Sequence, residues 1–434
     1  MPRLLLLAYL GLLAAFGAVL LVLADRVAGR VADPRFTPLA GASGTTTVLA
    51  RPEFRVRVRT NAAGFRGAEL PGPKGRGVRR VVVLGDSFTW GFGVPERQAY
   101  PARLERRLND AVDTQGPGAR RIEVVNLGVP GAGPLDYLYH LEHTALRLEP
   151  DVVLVGVFAN DVNDVYQVRR FGARSPLFAL DALRAAGPAV RPWWKRTAET
   201  ALPNLYALGG RTLARVAAGW REARAASDVG GAPATDPAAL VAALAVRYGR
   251  RDEVLARYHA LDAADRERLD RLLVGEPLGD DVRGALLLGA LVDPDGEVDG
   301  ILLRSEGRRA AWAETAEVLA RIVRAARRRG AATVLAVLPA SEQVDRSRWR
   351  FLEGVGYHVD PAMLEDTRLA DGVRAVARRE GAGFVDLVRA FRAHRDARLY
   401  YVADEHWNAR GQAFAAARLA PAVAAALAAP ADPS

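Results

Sequence analysis

The stretch VVVLGDSFTWGFG, residues 81–93, decides the reading of this chain. Val81 to Leu84 is a compact, mostly β-branched run, introduced by Arg79 and Arg80 and ended by Gly85. That is the pattern of a buried strand breaking into a turn. Ser87 stands at the strand end, between Gly85 and Gly91, which let the backbone turn sharply. Comparable runs recur at Ile122 to Leu127, Val152 to Phe158, Ala332 to Leu338 and Gly383 to Leu387. Helical patterns lie between or after them: Pro101 to Leu108, Leu135 to Leu148, Ala310 to Arg329, Leu369 to Arg379 and an alanine-rich stretch from Ala409 to about Ala428. Parallel neighbours need crossover connections, so this alternation argues for an α/β fold with five parallel strands covered on both faces.

Outward from that core, residues 80–168 form the first part of the domain and 306–428 the second, separated by a mainly helical insertion, 169–305. Within the insertion, Leu240 to Tyr248 and Asp265 to Leu273 have helical periodicity. Residues 33–79, rich in Gly, Pro and Arg, read as a linker with one short alternating run, Phe54, Val56 and Val58, that suits an edge strand. Residues 1–32 hold an uncharged stretch of 21 residues, Leu4 to Ala24. About 20 helical residues span a bilayer core, and the run exceeds the ~7 to 15 residues of a signal h-region. It reads as an uncleaved transmembrane anchor, with a long signal peptide as the alternative, and the rest of the chain outside the cytoplasm.

Composition excludes several alternatives. With 434 residues, half of them hydrophobic, the chain can bury a real core. Its net charge of +10 is almost all arginine, since Lys74 and Lys195 are the only lysines, and it is scattered along helix-like segments such as Arg324, Arg327, Arg328 and Arg329. This reads as solvated helix faces, so no nucleic-acid partner is expected. The absence of cysteine removes disulfides, thiolate nucleophiles and Cys-ligated zinc.

In open α/β sheets the site lies outside the carboxyl ends of the strands. Four loops in those positions form a set: Gly85-Asp86-Ser87, Asn126 to Gly131, Asn160-Asp161, and Asp404-Glu405-His406-Trp407-Asn408 before the last helix. A serine hydroxyl needs a base to take its proton, and a carboxylate to hold that base in the right tautomer. Asp404 and His406, two apart, fall on one side of an extended backbone. The N–H groups of Ser87 and Gly131 and the amide of Asn160 are candidate donors to an oxyanion, with Gly128 and Asn163 as rivals. Plainer roles also exist. Ser87 suits a helix N-cap, Asp404 and Asn408 suit caps of the last helix, His406 suits a surface position, and Asp86 suits a structural hydrogen bond. His140 and His143 resemble a metal pair, but a helix surface explains them. The Gly85 to Gly93 loop lacks both a Gly-Lys-Ser/Thr ending and dinucleotide spacing. No cofactor and no metal are expected.

The four motifs occur in the order of the blocks of the SGNH (GDSL-type) hydrolases, which residues 81–165 and 332–427 resemble. The resemblance implies a flavodoxin-like three-layer α/β/α fold and a triad of Ser87, His406 and Asp404. It also implies an oxyanion hole from the Ser87 N–H, the Gly131 N–H and the Asn160 side chain. Two positions depart from the pattern. Phe158 stands where the third block has glycine, and Ala403 where the last block has aspartate three before the histidine. The spacing Asp404, His406, Trp407, Asn408 is closer to a membrane-associated branch that includes alginate O-acetylation proteins. The expected activity is serine ester hydrolysis of O-acyl groups on an envelope glycan or lipid. O-acetyl transfer with the same triad, or a non-catalytic envelope assembly protein, stands as the alternative. Oligomeric state is left open.

Overall fold

The computed structural model describes residues 39, 41–111, 121–171, 175–177, 179–180, 183, 236–275, 283–394, 398–402 and 404–429. Nearly all belong to one compact unit, residues 38–179 and 241–434. The other unit, residues 1–37 and 180–240, lies almost wholly outside the described residues, and with it the expected anchor.

Five strands form one parallel sheet: β3 (Val78–Leu84), β4 (Arg121–Asn126), β5 (Val152–Val157), β6 (Ala332–Val337) and β7 (Gly383–Asp386), in the order β4-β3-β5-β6-β7. These are the five expected runs. Val81 to Leu84 and Val152 to Val155 are completely buried, which is why they read as unbroken apolar runs without alternation. Burying each such side chain stabilises the fold by about 1.5–3 kcal/mol.

Crossover helices cover the sheet. Tyr100–Asp110 packs against the closing helix Ala409–Ala428. Pro134–His143 and Arg368–Glu380 pack with the long helix Glu306–Arg327. Because the chain leaves β3 toward β4 and later returns to β5 on its other side, right-handed crossovers put these two groups on opposite faces. A topological switch point results at the carboxyl ends of β3 and β5. Ala409–Ala428 is long and apolar enough to cross a membrane, but Ala415, Ala416, Leu419 and Val423 are buried in the core.

The described part of the insertion is helical: Arg251–Ala260, Ala263–Val274, Arg283–Val292 and Gly296–Leu302. It is tied to Asn160–Phe171, the helix that follows β5, where Asn163 donates to the Gly296 carbonyl at 2.8 Å and Arg308 pairs with Asp293 across the face of Tyr166. Within residues 33–79, expected as a linker, Thr46–Arg51 (β1) and Phe54–Arg59 (β2) make an antiparallel hairpin. The alternation seen in Phe54, Val56 and Val58 is the buried face of β2, which packs on Trp90, Phe92 and Tyr401.

Candidate active site

The site begins with the turn that ends β3. Asp86 is the N-cap of a single helical turn, Ser87–Trp90, its carboxylate accepting from the Phe88 N–H at 2.9 Å. The cap is therefore Asp86, and Ser87 is the first helical residue with its side chain free for another partner. A Cβ on Gly85 would stand 2.0 Å from Thr89 Oγ1, so this turn is open only to glycine.

The partner is His406. Ser87 Oγ lies 2.7 Å from His406 Nε2, and His406 Nδ1 lies 2.6 Å from Asp404 Oδ1. The same Asp404 oxygen accepts from the His406 backbone N–H at 2.9 Å. His406 is buried, stacked on Phe92 with ring centroids 4.4 Å apart and tilted against Phe88 at 4.9 Å. Below it, Trp407 is fully buried against Phe391 and Phe88. The loop carrying Asp404 and His406 is closed by the bridge between Tyr400 and Trp407, with Tyr401 N–H donating to the His406 carbonyl. Asn408 caps the closing helix through Arg410 N–H and Gly411 N–H, and its amide binds the Arg398 and Tyr400 carbonyls.

Glu53, in the turn between β1 and β2, accepts from the backbone N–H groups of Val402 and Asp404, the latter at 3.0 Å. The hairpin thus grips the triad loop from outside the α/β domain. Nothing local in the sequence marks Glu53 for this task. Phe92, two residues beyond Trp90, lies within the opening motif, and its proximity to Ser87 was the available signal.

Three donors remain unspent. Ser87 N–H, being first in its helix, has no intrahelical acceptor. Among the described residues neither it, nor the Gly131 N–H, nor the Asn160 side chain has a hydrogen-bond partner, and Asn160 Oδ1 is buried without one. The rivals are engaged elsewhere. Asn163 is spent on Gly296, and the Gly128 N–H donates to Asn126 Oδ1 at 2.9 Å. Gly128 instead allows close packing, since a Cβ there would sit 2.5 Å from the Trp90 nitrogen. Gly131 adopts φ +74°, in the left-handed region that suits glycine.

The electrostatics are asymmetric. Burial opposes charge on His406, but the hydrogen bond and charge of Asp404 outweigh it and hold the imidazole pKa above its ordinary value. Burial also opposes ionisation of Asp404, yet His406 holds that carboxyl below the usual range. Behind the serine turn, burial pushes Asp86 up to about 6. Its second oxygen has no hydrogen-bond partner among the described residues. Asp161, equally buried, is pushed well up by burial and by Asp86, while accepting from Tyr137 Oη at 2.8 Å and from the Phe158 N–H. Asp161 thus fixes the turn that presents Asn160. His140 is turned to the Leu39 carbonyl and the edge of Phe65, and His143 stacks on Tyr139.

Comparisons with known proteins give two family matches. Residues 83–252 match the GDSL-like lipase/acylhydrolase family, and residues 298–433 match the SGNH hydrolase-like domain of the acetyltransferase AlgX. No curated protein matches the chain. Among solved structures, the acetyl xylan esterase AlAXEase is similar, with 13% identity, coverage of 79% of this chain and 99% of its own, and a TM-score of 0.37. The acetylxylan esterase Axe2 from Geobacillus stearothermophilus shares 13% identity over 82% and 97% of the two chains, TM-score 0.34. TesA shares 13% over 81% and 98%, TM-score 0.33. Two family matches of one kind cover both halves of the sheet, with Ser87 and Asn160 inside the first and His406 inside the second, so residues 83–252 and 298–433 are those of an SGNH (GDSL-type) hydrolase.

Proposed function

We propose that the protein is a serine esterase that removes O-acyl groups from an envelope glycan or lipid through an acyl-enzyme on Ser87. The observation that carries this reading is the continuous chain from Ser87 Oγ to His406 to Asp404, with links of 2.7 and 2.6 Å. His406 Nε2 takes the hydroxyl proton as Ser87 Oγ attacks the acyl carbon. Asp404 fixes the Nδ1–H tautomer and steadies the imidazolium. The unengaged donors of Ser87, Gly131 and Asn160 receive the oxyanion, in a role where loss of one donor costs ~10²- to 10³-fold in rate. The imidazolium then protonates the leaving alkoxide, and water activated by His406 releases the acid.

A second reading is supported by the match of residues 298–433 to an acetyltransferase domain. In it a sugar hydroxyl replaces water at the last step, and the same residues serve. We place the catalytic unit outside the cytoplasm, on the strength of the Leu4 to Ala24 segment. One assay separates the two readings: acetylated xylan is offered with and without an unacetylated sugar oligomer, and both free acetate and acetylated oligomer are measured. Acetate release unaffected by the oligomer supports hydrolysis. Acetate production that falls as acetylated oligomer accumulates supports transfer. Neither product, from protein that turns over small esters, rules out acetylated xylan as the substrate.

A further inference from the structure

The outward face of the hairpin carries Arg55, Arg57 and Arg59, all exposed and spaced every second residue along β2. Successive guanidinium stems are thus about 7 Å apart on one face. None of the three has an ion pair or side-chain hydrogen bond among the described residues. Their cross-strand neighbours on that face are Ala50, Val48 and Thr46, so no carboxylate answers them there. Val48 is 51% exposed, and Val402, whose N–H the hairpin turn holds, is 64% exposed. These are two of the four large hydrophobics left exposed among the described residues. A row of arginines interleaved with a bare apolar side chain is the composition of a surface that rests on anionic headgroups.

The chain's own connectivity names the bilayer. The apolar segment read as an anchor ends at Ala24, 22 residues before β1 begins at Thr46. A fully extended connection of that length reaches at most about 75 Å, and a flexible one has its ends about 25 Å apart on average. Among the described residues the hairpin is the first secondary structure that follows this segment, and it lies within that reach of the membrane the segment is read to cross. We propose that the Arg55–Arg57–Arg59 face docks on the anionic phospholipid headgroups of the bilayer that the N-terminal segment crosses. Because the opposite face of the same strand packs on Phe92, which stacks on His406, docking would hold the triad end of the sheet at the membrane surface. The inference rests on the membrane-anchored reading above and deepens it by naming the contact that orients the catalytic unit.

The chain has no cysteine, so Val48→Cys gives a single site for a fluorophore on this face. The labelled full-length protein is placed in nanodiscs of phosphatidylcholine, or of phosphatidylcholine with phosphatidylglycerol, each containing a lipid with a headgroup quencher. Quenching is expected in the anionic discs, to be weak in the neutral discs, and to fall at high salt. Replacing all three arginines by serine should lower the docked-to-free ratio by about a hundredfold, since each basic residue near an anionic surface contributes several-fold. Replacing them by lysine should retain most of it and guards against misfolding of the serine variant. Equal quenching in both kinds of disc, an unchanged serine variant, or parent protein recovered apart from the discs would each overturn the proposal. So would quenching in anionic discs that soluble polygalacturonate abolishes at constant ionic strength, because the face would then prefer a glycan. Turnover of p-nitrophenyl acetate by the same samples keeps the two readings apart. Docking without Ser87-dependent turnover sinks only the serine chemistry, and turnover without docking sinks only this inference.

Discussion

Glu53→Ala tests whether a residue outside the α/β domain sets the geometry of the triad. The carboxylate accepts two backbone N–H bonds from the loop that carries Asp404, one of them on Asp404 itself. Hydrogen bonds to a charged group contribute roughly 1.5–3 kcal/mol each, and because Val402 is mostly exposed, the lower figure applies. About 3 kcal/mol of loop order is therefore lost. The loop keeps its closure through Tyr401 and Asn408, so it loosens without unfolding. A displacement of about 1 Å at a catalytic group costs up to ~10²-fold. Turnover of a small acyl ester by Glu53→Ala should accordingly fall between ten- and a hundredfold in kcat, with KM nearly unchanged and the circular dichroism spectrum intact. If the loss runs through Asp404, adding Asp404→Asn to Glu53→Ala should lower the rate much less than it does in the parent, a strong non-additivity. Activity of Glu53→Ala within twofold of the parent would refute the role assigned to the hairpin turn.

Other consequences can be checked with the same assay. Since Asp404 raises the His406 pKa, the acid limb of kcat/KM should have its midpoint above the ordinary histidine value. Activity falls as pH drops through it and the base is protonated. Asp404→Asn should move that midpoint down and lower the plateau by up to ~10⁴-fold, the loss seen for such a change in a serine protease. Gly128→Ala drives a methyl against the backbone of Thr89 and Trp90, so the Ser87 turn must shift, and kcat should drop about a hundredfold in folded protein. Asp86 concerns stability. Its native pKa of about 6 exceeds the unfolded value of 3.8, so the native state holds a proton the unfolded chain has lost, and stability falls as pH rises between those values. Two units correspond to about 3 kcal/mol. Asp86→Asn keeps the cap oxygen and cannot ionise. Its stability relative to the parent, measured by urea unfolding, should therefore improve between pH 4 and pH 7.5, and a constant difference would contradict the burial argument.

The parallel sheet was legible because Val81 to Leu84 and Val152 to Val155 are buried on both sides and advertise themselves as unbroken apolar runs. The meeting of Ser87 with His406, 319 residues apart, was legible only through topology, since both lie beyond the carboxyl ends of strands in one parallel sheet. Gly131 was the expected donor, with Gly128 left as its rival. The difference lies in which N–H is already spent and which backbone is crowded, and both are tertiary facts. The hairpin escaped for a related reason. Its two strands are short and rich in arginine, and only its pairing with the aromatic wall of Trp90, Phe92 and Tyr401 shows that it belongs to the site. Glu53 has no local signature at all, because its partners are backbone groups about 350 residues away.

The central claim is that Ser87 carries the acyl group. Protein mixed with p-nitrophenyl acetate and quenched within the first turnovers should release a burst of p-nitrophenol, and mass spectrometry should find an acetyl group on the peptide containing Ser87. Ser87→Ala should show neither the burst nor the adduct. Equal turnover by Ser87→Ala, or an acetyl group on a residue other than Ser87, would contradict the account.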